Sequence, residues 1–295
     1  MFKTITILGL AFISPLSLAV AGTSDHANIQ LRMASIINDV MSVQDTIKNR
    51  VNLSGRQRML TQRMTKLALL VSSNIDSDNN KKSLMEVTTL YGKTLNDFKN
   101  TDNQDIKNQI LVIEGAWKPF LKNIKHIAEG QDKEGTALTY VISNNEALLK
   151  ESNILVDKFE KSNTSQNYIE KAMVSIVNIA GRQRMLTQKM TKEKLLIIQK
   201  GQDQYENKLV KTIKLFDDSL VLLKHGNSEQ KIVKPSNQKI ITQLNKVDNL
   251  WKDLKPLYEK KKPSSKEMTS IINKNPILLR EMHKMVQMAE LELEY

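Results

Sequence analysis

Residues 52–66, NLSGRQRMLTQRMTK, return 126 positions later as residues 178–192, NIAGRQRMLTQKMTK. Only Leu53/Ile179, Ser54/Ala180 and Arg63/Lys189 differ, while the flanking sequence has drifted far. Fixed-period self-similarity of this kind marks a duplicated structural unit. Three further blocks follow in the same order. Leu90-Tyr91 answers Leu215-Phe216, Trp117-Lys118 answers Trp251-Lys252, and Leu148-Leu149-Lys150-Glu151 answers Leu278-Leu279-Arg280-Glu281. The offsets drift by less than ten residues, so insertions fall between blocks, as loop changes do.

Working outward, apolar residues at Leu53, Leu60, Met64, Leu67 and Val71 keep a helical period. Aromatics are 5% of the chain and glycines number 10, a composition that favours helices. Each copy predicts four helices. In the first they cover about 28–73, 81–99, 102–129 with a kink at Pro119, and a segment from 136 that bends at Asn144-Asn145. In the second they cover about 166–200, 204–224, 237–260, and a last helix opened by the capping box Ser264-x-x-Glu267 and interrupted at Asn275-Pro276. No glycine or proline lies between Thr136 and Ala180. The expected fold is all-α: two tandem four-helix bundles joined by a long, nearly continuous helix. The boundaries read as 1–21 signal peptide, 22–163 first bundle and 164–295 second bundle.

Lys3, the apolar run 5–16 and Ala19-Val20-Ala21 before Gly22 read as an export signal cleaved after Ala21. A soluble, periplasmic protein is expected. Cysteine is absent, which removes disulfides, thiolate catalysis and thiolate-bound metals. His26, His126, His225 and His283 show no metal-ligand spacing, so no metal or other cofactor is expected. Neither a phosphate-binding glycine loop nor a nucleophile motif appears, and the chain does not read as an enzyme. Net charge is +12, or +11 without Lys3, but the lysines are dispersed along helices; this and export argue against nucleic acid.

On a helix, the repeated segment turns Leu53, Gln57, Leu60, Met64 and Leu67 inward. A second face carries Ser54, Arg58, Thr61 and Thr65, flanked by Gly55, Met59, Gln62 and Lys66. The second copy repeats it with Arg184, Thr187 and Thr191 and with Gly181, Met185, Gln188 and Lys192. A helix-interior glycine costs roughly 1 kcal/mol against alanine. It suits close approach of a backbone or ligand. Arginine offers a planar donor fork for oxyanions. A small anion held between helices follows, and so does the rival reading, a packing device without ligand.

At these residues the chain resembles the PilJ-type (NarX-like) N-terminal sensor domain of pilus chemotaxis transducers and nitrate/nitrite sensor kinases. The resemblance rests on G-R-Q-R-M-L-T-Q-[RK]-M. It implies a periplasmic four-helix bundle that binds nitrate or nitrite between the first helices of two subunits. It places the ligand on Arg58 and Arg184, with Arg63 and Lys189 at the later basic position. Gly55, Gly181, Gln62 and Gln188 complete the candidate set. The chain shows no transmembrane pair, HAMP linker, kinase core or methyl-accepting coiled coil. A membrane chemoreceptor or sensor histidine kinase is therefore the expected partner. Two arrangements stay open: Arg58 and Arg184 in one pseudo-symmetric site, or a homodimer in which each faces its own mate. The continuous joining helix argues against the first. The alternative function is a structural or adhesion protein of the envelope.

Overall fold

The computed structural model describes residues 47–201, 204–229 and 232–291. The signal-peptide reading and the first part of the leading helix lie outside these residues. Eight helices are described, with no strand among them: α1 (Ile47–Ser72), α2 (Ser77–Asp97), α3 (Gln104–Ala128), α4 (Thr136–Lys161), α5 (Tyr168–Lys200), α6 (Gln204–His225), α7 (Gln238–Glu259) and α8 (Ser265–Leu291). A single antiparallel bridge, Asn227 with Ile232, pins the loop after α6.

The helix ends follow their local chemistry. Asn103 and Asn237 accept backbone N–H bonds from Ile106 and Lys239 and so cap α3 and α7. The Asp132 carboxylate takes the N–H groups of Ala137 and Leu138 at the start of α4. Ser264 and Glu267 form the reciprocal capping box before α8. α3 closes at Gly130, whose φ of 72° is left-handed, a conformation that glycine adopts without a Cβ penalty.

Helices α1–α4 pack as one bundle and α5–α8 as another. Each core is centred on the same aromatic pair, Tyr91 against Trp117 (4.4 Å) and Phe216 against Trp251 (4.5 Å). Gln57 and Gln183 donate to the carbonyls of Tyr91 and Phe216, tying the first helix of each bundle to the second. Met282 and Met285 are buried core residues of α8.

The all-helical, tandem-bundle expectation holds, but the join between the bundles differs from it. α4 stops at Lys161 and α5 starts at Tyr168, so no continuous helix links them. The six residues between are Ser, Asn, Thr, Ser, Gln and Asn. Their side chains bond to nearby backbone in place of helix bonds. Ser162 Oγ donates to the carbonyl of Phe159, Ser165 N–H to Asn163, and Glu170 N–H to Asn167. The chain reverses there.

Two expected breaks are also missing: α4 continues as helix through Asn144-Asn145 and α8 through Pro276. Asn145 and Asn275 spend their amides across the structure, on the carbonyls of Thr61 and Thr187. Buried Leu278, Leu279 and Met282 beyond Pro276 hold the helix in place despite the bond that proline removes.

The reversal lays α5 beside α1. Their contact is the most extensive between any two helices. It is parallel and in register, since Ser73 meets Gln199 at the repeat offset of 126 (2.8 Å). α1 is therefore central. From Val51 to Val71 only Leu53 and Arg63 are not buried.

Candidate functional site

The seam between α1 and α5 buries polar side chains that an ordinary helix contact excludes. Arg58 and Arg184 are 2% and 0% exposed. Each reaches into the opposite bundle. Arg58 Nη2 donates to Asn178 Oδ1 (2.8 Å) and to the Asn178 carbonyl (3.3 Å). Arg184 Nη2 donates to Asn52 Oδ1 (2.8 Å) and to the Asn52 carbonyl (3.1 Å). The contacts are related by a pseudo-twofold axis running along the seam.

Gly55 and Gly181 make the approach possible. A Cβ on Gly55 would lie 3.2 Å from Arg58 Nη2 and 3.7 Å from Arg184 Nη2; one on Gly181 would lie 3.4 Å from Arg184 Nη2 and 3.6 Å from Arg58 Nη2. Both guanidiniums thus border the same small volume. Burial, and then the neighbouring Arg182, push Arg58 down to about 9 against the pull of Asp157 and Glu160. Burial, and then Arg56, push Arg184 down to about 9, with Glu290 opposing and Arg58 adding to the repulsion. Both Nε–H groups are buried with no hydrogen-bond acceptor among the described residues. An orphaned buried donor costs about 1–3 kcal/mol. Arg184 Nη1 also lies 3.2 Å from His283 Nδ1. A guanidinium only donates, so that ring nitrogen accepts.

Each asparagine is itself held by a carboxylate. Asn178 Nδ2 donates to Glu160 Oε2 and Asn52 Nδ2 to Glu290 Oε2, both at 2.6 Å. Ser175 and Asn49 fill the second oxygens (3.1 and 3.0 Å). Arginine, asparagine and glutamate form the same relay twice.

Two turns further along lies a second polar layer, also crossed. Lys66 Nζ donates to Asn275 Oδ1 of α8 (2.9 Å) and Lys192 Nζ to Asn145 Oδ1 of α4 (2.8 Å). Here the halves differ. Lys192 also pairs with Glu146 (2.8 Å). Lys66 has Asn275 as its one hydrogen-bond partner among the described residues. Burial, with Arg63 nearby, holds its ammonium well below the ordinary lysine range.

Of the eight candidate residues, the structure brings Gly55, Gly181, Arg58 and Arg184 together. Gln62 and Gln188 lie between the two layers, donating to Thr61 and Thr187 Oγ1 (both 3.1 Å), and their Oε1 atoms are buried without partners. Arg63 and Lys189 sit apart from the arginine pair. Arg63 is half-buried and lowered to about 10 by burial, against the pull of Glu86 on α2. Lys189 is bound by Glu146 (3.0 Å) and Glu193 (2.9 Å), whose charges outweigh burial and raise it. The continuous-helix objection to a shared site is overturned: the joining helix is broken, and Arg58 lies beside Arg184 of its own chain.

Sequence reasoning missed Asn52 and Asn178, although they open the repeat, and Glu160 and Glu290. The latter share the offset of 130 that relates Asn145 to Asn275, so the alignment could have reached them.

Among the described residues, no helix is long and apolar enough to cross a membrane and no His/Cys/Asp/Glu group could hold a metal. Comparison with curated proteins and with solved structures gave no match. A family model did match, twice: that of the type IV pili methyl-accepting chemotaxis transducer N-terminus, over residues 40–141 and 169–272. Each matched region contains one copy of the repeat with its glycine and buried arginine. This chain, two such regions set seam to seam, belongs to that PilJ family of chemotaxis-transducer sensor domains.

Proposed function

We propose that the protein is an exported, periplasmic sensory accessory protein that binds one small oxyanion per chain between Arg58 and Arg184. Its two units, 22–163 and 164–295, each supply half of the site. Nitrate and nitrite are the favoured ligands, by resemblance to the nitrate-sensing members of the family. The occupied state is presented to a membrane chemoreceptor or sensor histidine kinase.

One observation carries the reading. Two buried guanidiniums border one small volume across a pair of glycines, and both Nε–H groups lack acceptors among the described residues. An oxyanion supplies those acceptors and offsets the mutual repulsion. A charge-assisted hydrogen bond contributes about 1.5–3 kcal/mol. A few of them, less ordering and desolvation costs, correspond to affinity of roughly 1 mM to 1 μM.

A packing-only role, in an envelope structural protein, is supported by a different observation: Asn52 and Asn178 already accept from both arginines. Calorimetry of the protein from Gly22 onward, with nitrate, nitrite, sulfate and chloride, separates the two. The sensor reading expects saturable binding of one anion per chain, lost in Arg58→Ala and in Arg184→Ala while helicity persists. No heat with any anion, together with a lower melting temperature in both variants, leaves the seam as a packing device.

A further inference from the structure

The acceptors that the Nη2 atoms of Arg58 and Arg184 use belong to two asparagines, whose neutral side-chain amides are each strung between a guanidinium and a carboxylate. Asn178 bridges Arg58 to Glu160, and Asn52 bridges Arg184 to Glu290. Glu160 lies one residue before the end of α4, and Glu290 one before the end of α8. A carboxylate at a helix C-terminus opposes the helix dipole. It stays there because the asparagine and one further side chain donate to it. Each amide oxygen is also the weakest kind of acceptor for a buried cation, being uncharged.

We propose that Asn52 and Asn178 are internal surrogate ligands of the arginine pair, and that an incoming oxyanion displaces their Oδ1 atoms. This rests on the anion reading above and deepens it. Arriving between the guanidiniums, the anion takes over both Nη2 donors and fills the two orphaned Nε donors. The displaced asparagines swing away, and Glu160 and Glu290 each lose the 2.6 Å bond that Nδ2 supplied. The last turns of α4 and α8 then loosen. Occupancy at the seam is thereby reported at two helix ends, one of which leads directly into the reversal at 162–167. The asparagines set affinity by competition and link the site to its output.

The test titrates nitrate, nitrite, sulfate and chloride in turn into the purified protein and into Asn52→Ala, Asn178→Ala, Asn52→Asp and Asn178→Asp. Hydrogen exchange is followed at 157–162 and 287–291. Alanine removes the competitor, so each alanine variant should bind the anion about three- to tenfold more tightly. Aspartate adds an internal counter-charge for the guanidinium, so affinity should fall more than tenfold; it also loses the Nδ2 donor to Glu160 or Glu290, so exchange at that helix end should be fast before any anion is added. In the unmodified protein, exchange at both helix ends should quicken on saturation; in each alanine variant the end that asparagine held, 287–291 for Asn52 and 157–162 for Asn178, should be fast already and change little. Should the alanine variants not fold, the aspartate variants and the exchange measurement carry the test. If the unmodified protein binds but aspartate leaves affinity unchanged, or exchange at both ends stays constant, the displacement proposal is overturned and anion binding stands. If neither the unmodified protein nor any variant binds any of the four anions, the anion reading itself fails, and displacement with it.

Discussion

The arginine layer and the lysine layer stand eight residues apart on the same two helices, and the first has stayed the more symmetric, with His283, at the place of Asn153, breaking its match. Around Arg58 and Arg184 each half supplies the same asparagine and the same glutamate. Around Lys66 and Lys192 only the asparagines match. Glu146 and Glu193, which serve the Lys192 side, have Pro276 and Leu67 at the corresponding positions of the other half. Tyr258, which meets Thr191 at 2.6 Å, corresponds to Ile124. A layer whose two halves act on one object cannot drift on one side alone. A layer that only holds helices together can, provided that each buried charge finds some partner. The contrast favours the proposed division, with the anion site at the arginines and scaffold at the lysines.

The sharpest way to break this comparison is at the asparagines of the lysine layer. Asn275→Ala leaves Lys66 buried with no acceptor, and breaking such a contact costs about 3–5 kcal/mol. Asn145→Ala leaves Lys192 with Glu146 and should cost about 1–2 kcal/mol. Urea unfolding of both variants checks the order; equal losses would mean the two lysines are equally well compensated. Next come the lysines themselves. Lys192→Met strands part of the Glu146 charge and should destabilise by about 2 kcal/mol. Lys66→Met removes a cation that has no carboxylate and should stabilise by about 1 kcal/mol. Thermal melts of opposite sign are expected.

A pH series probes the same asymmetry. Burial pushes the Glu146 carboxyl up, but Lys192 and Lys189 outweigh it and hold it at about 2. Its folded value lies below its unfolded one, so its stabilisation is present above about pH 4.5 and is lost as pH falls from there through about 2. Glu146→Gln should therefore be less stable than the parent at pH 7, with the gap closing in acid. Lys66 runs the other way. Its ammonium titrates below the ordinary lysine value, so stability rises as pH climbs through that lowered value toward 10.5, and Lys66→Met should abolish the rise. The smallest effect tests the symmetric layer. Gly55→Ala and Gly181→Ala place a Cβ 3.2 and 3.4 Å from an arginine Nη2, and their unfolding free energies should fall by amounts matching within about 0.5 kcal/mol.

Much of this was legible from the repeat. Helical period, the Ser264–Glu267 box and the stop at Gly130 placed the helices, and the glycine–arginine spacing pointed to residues that meet at the buried seam. The reversal at 162–167 was not legible as such, because it uses neither glycine nor proline. Short polar side chains divert the backbone there, and that competition depends on tertiary alternatives. Asn52 and Asn178 escaped notice because an asparagine on a helix carries no signal until the opposite helix brings a cation to it. Arg63 and Lys189 belong to the candidate set through the family motif alone. Glu86 on α2 and Glu146 on α4 draw them elsewhere, and those carboxylates come from unmatched positions.

The side-by-side setting of α1 and α5 within one polypeptide changes how such a site behaves in dilution and in inheritance. A receptor cleft assembled from two identical subunits falls apart as concentration drops, and every substitution in it arrives twice. Here the halves are tethered by a few residues, so the cleft persists at any concentration. Each position also mutates singly, so a change in one wall has to be matched by a second, separate change in the other.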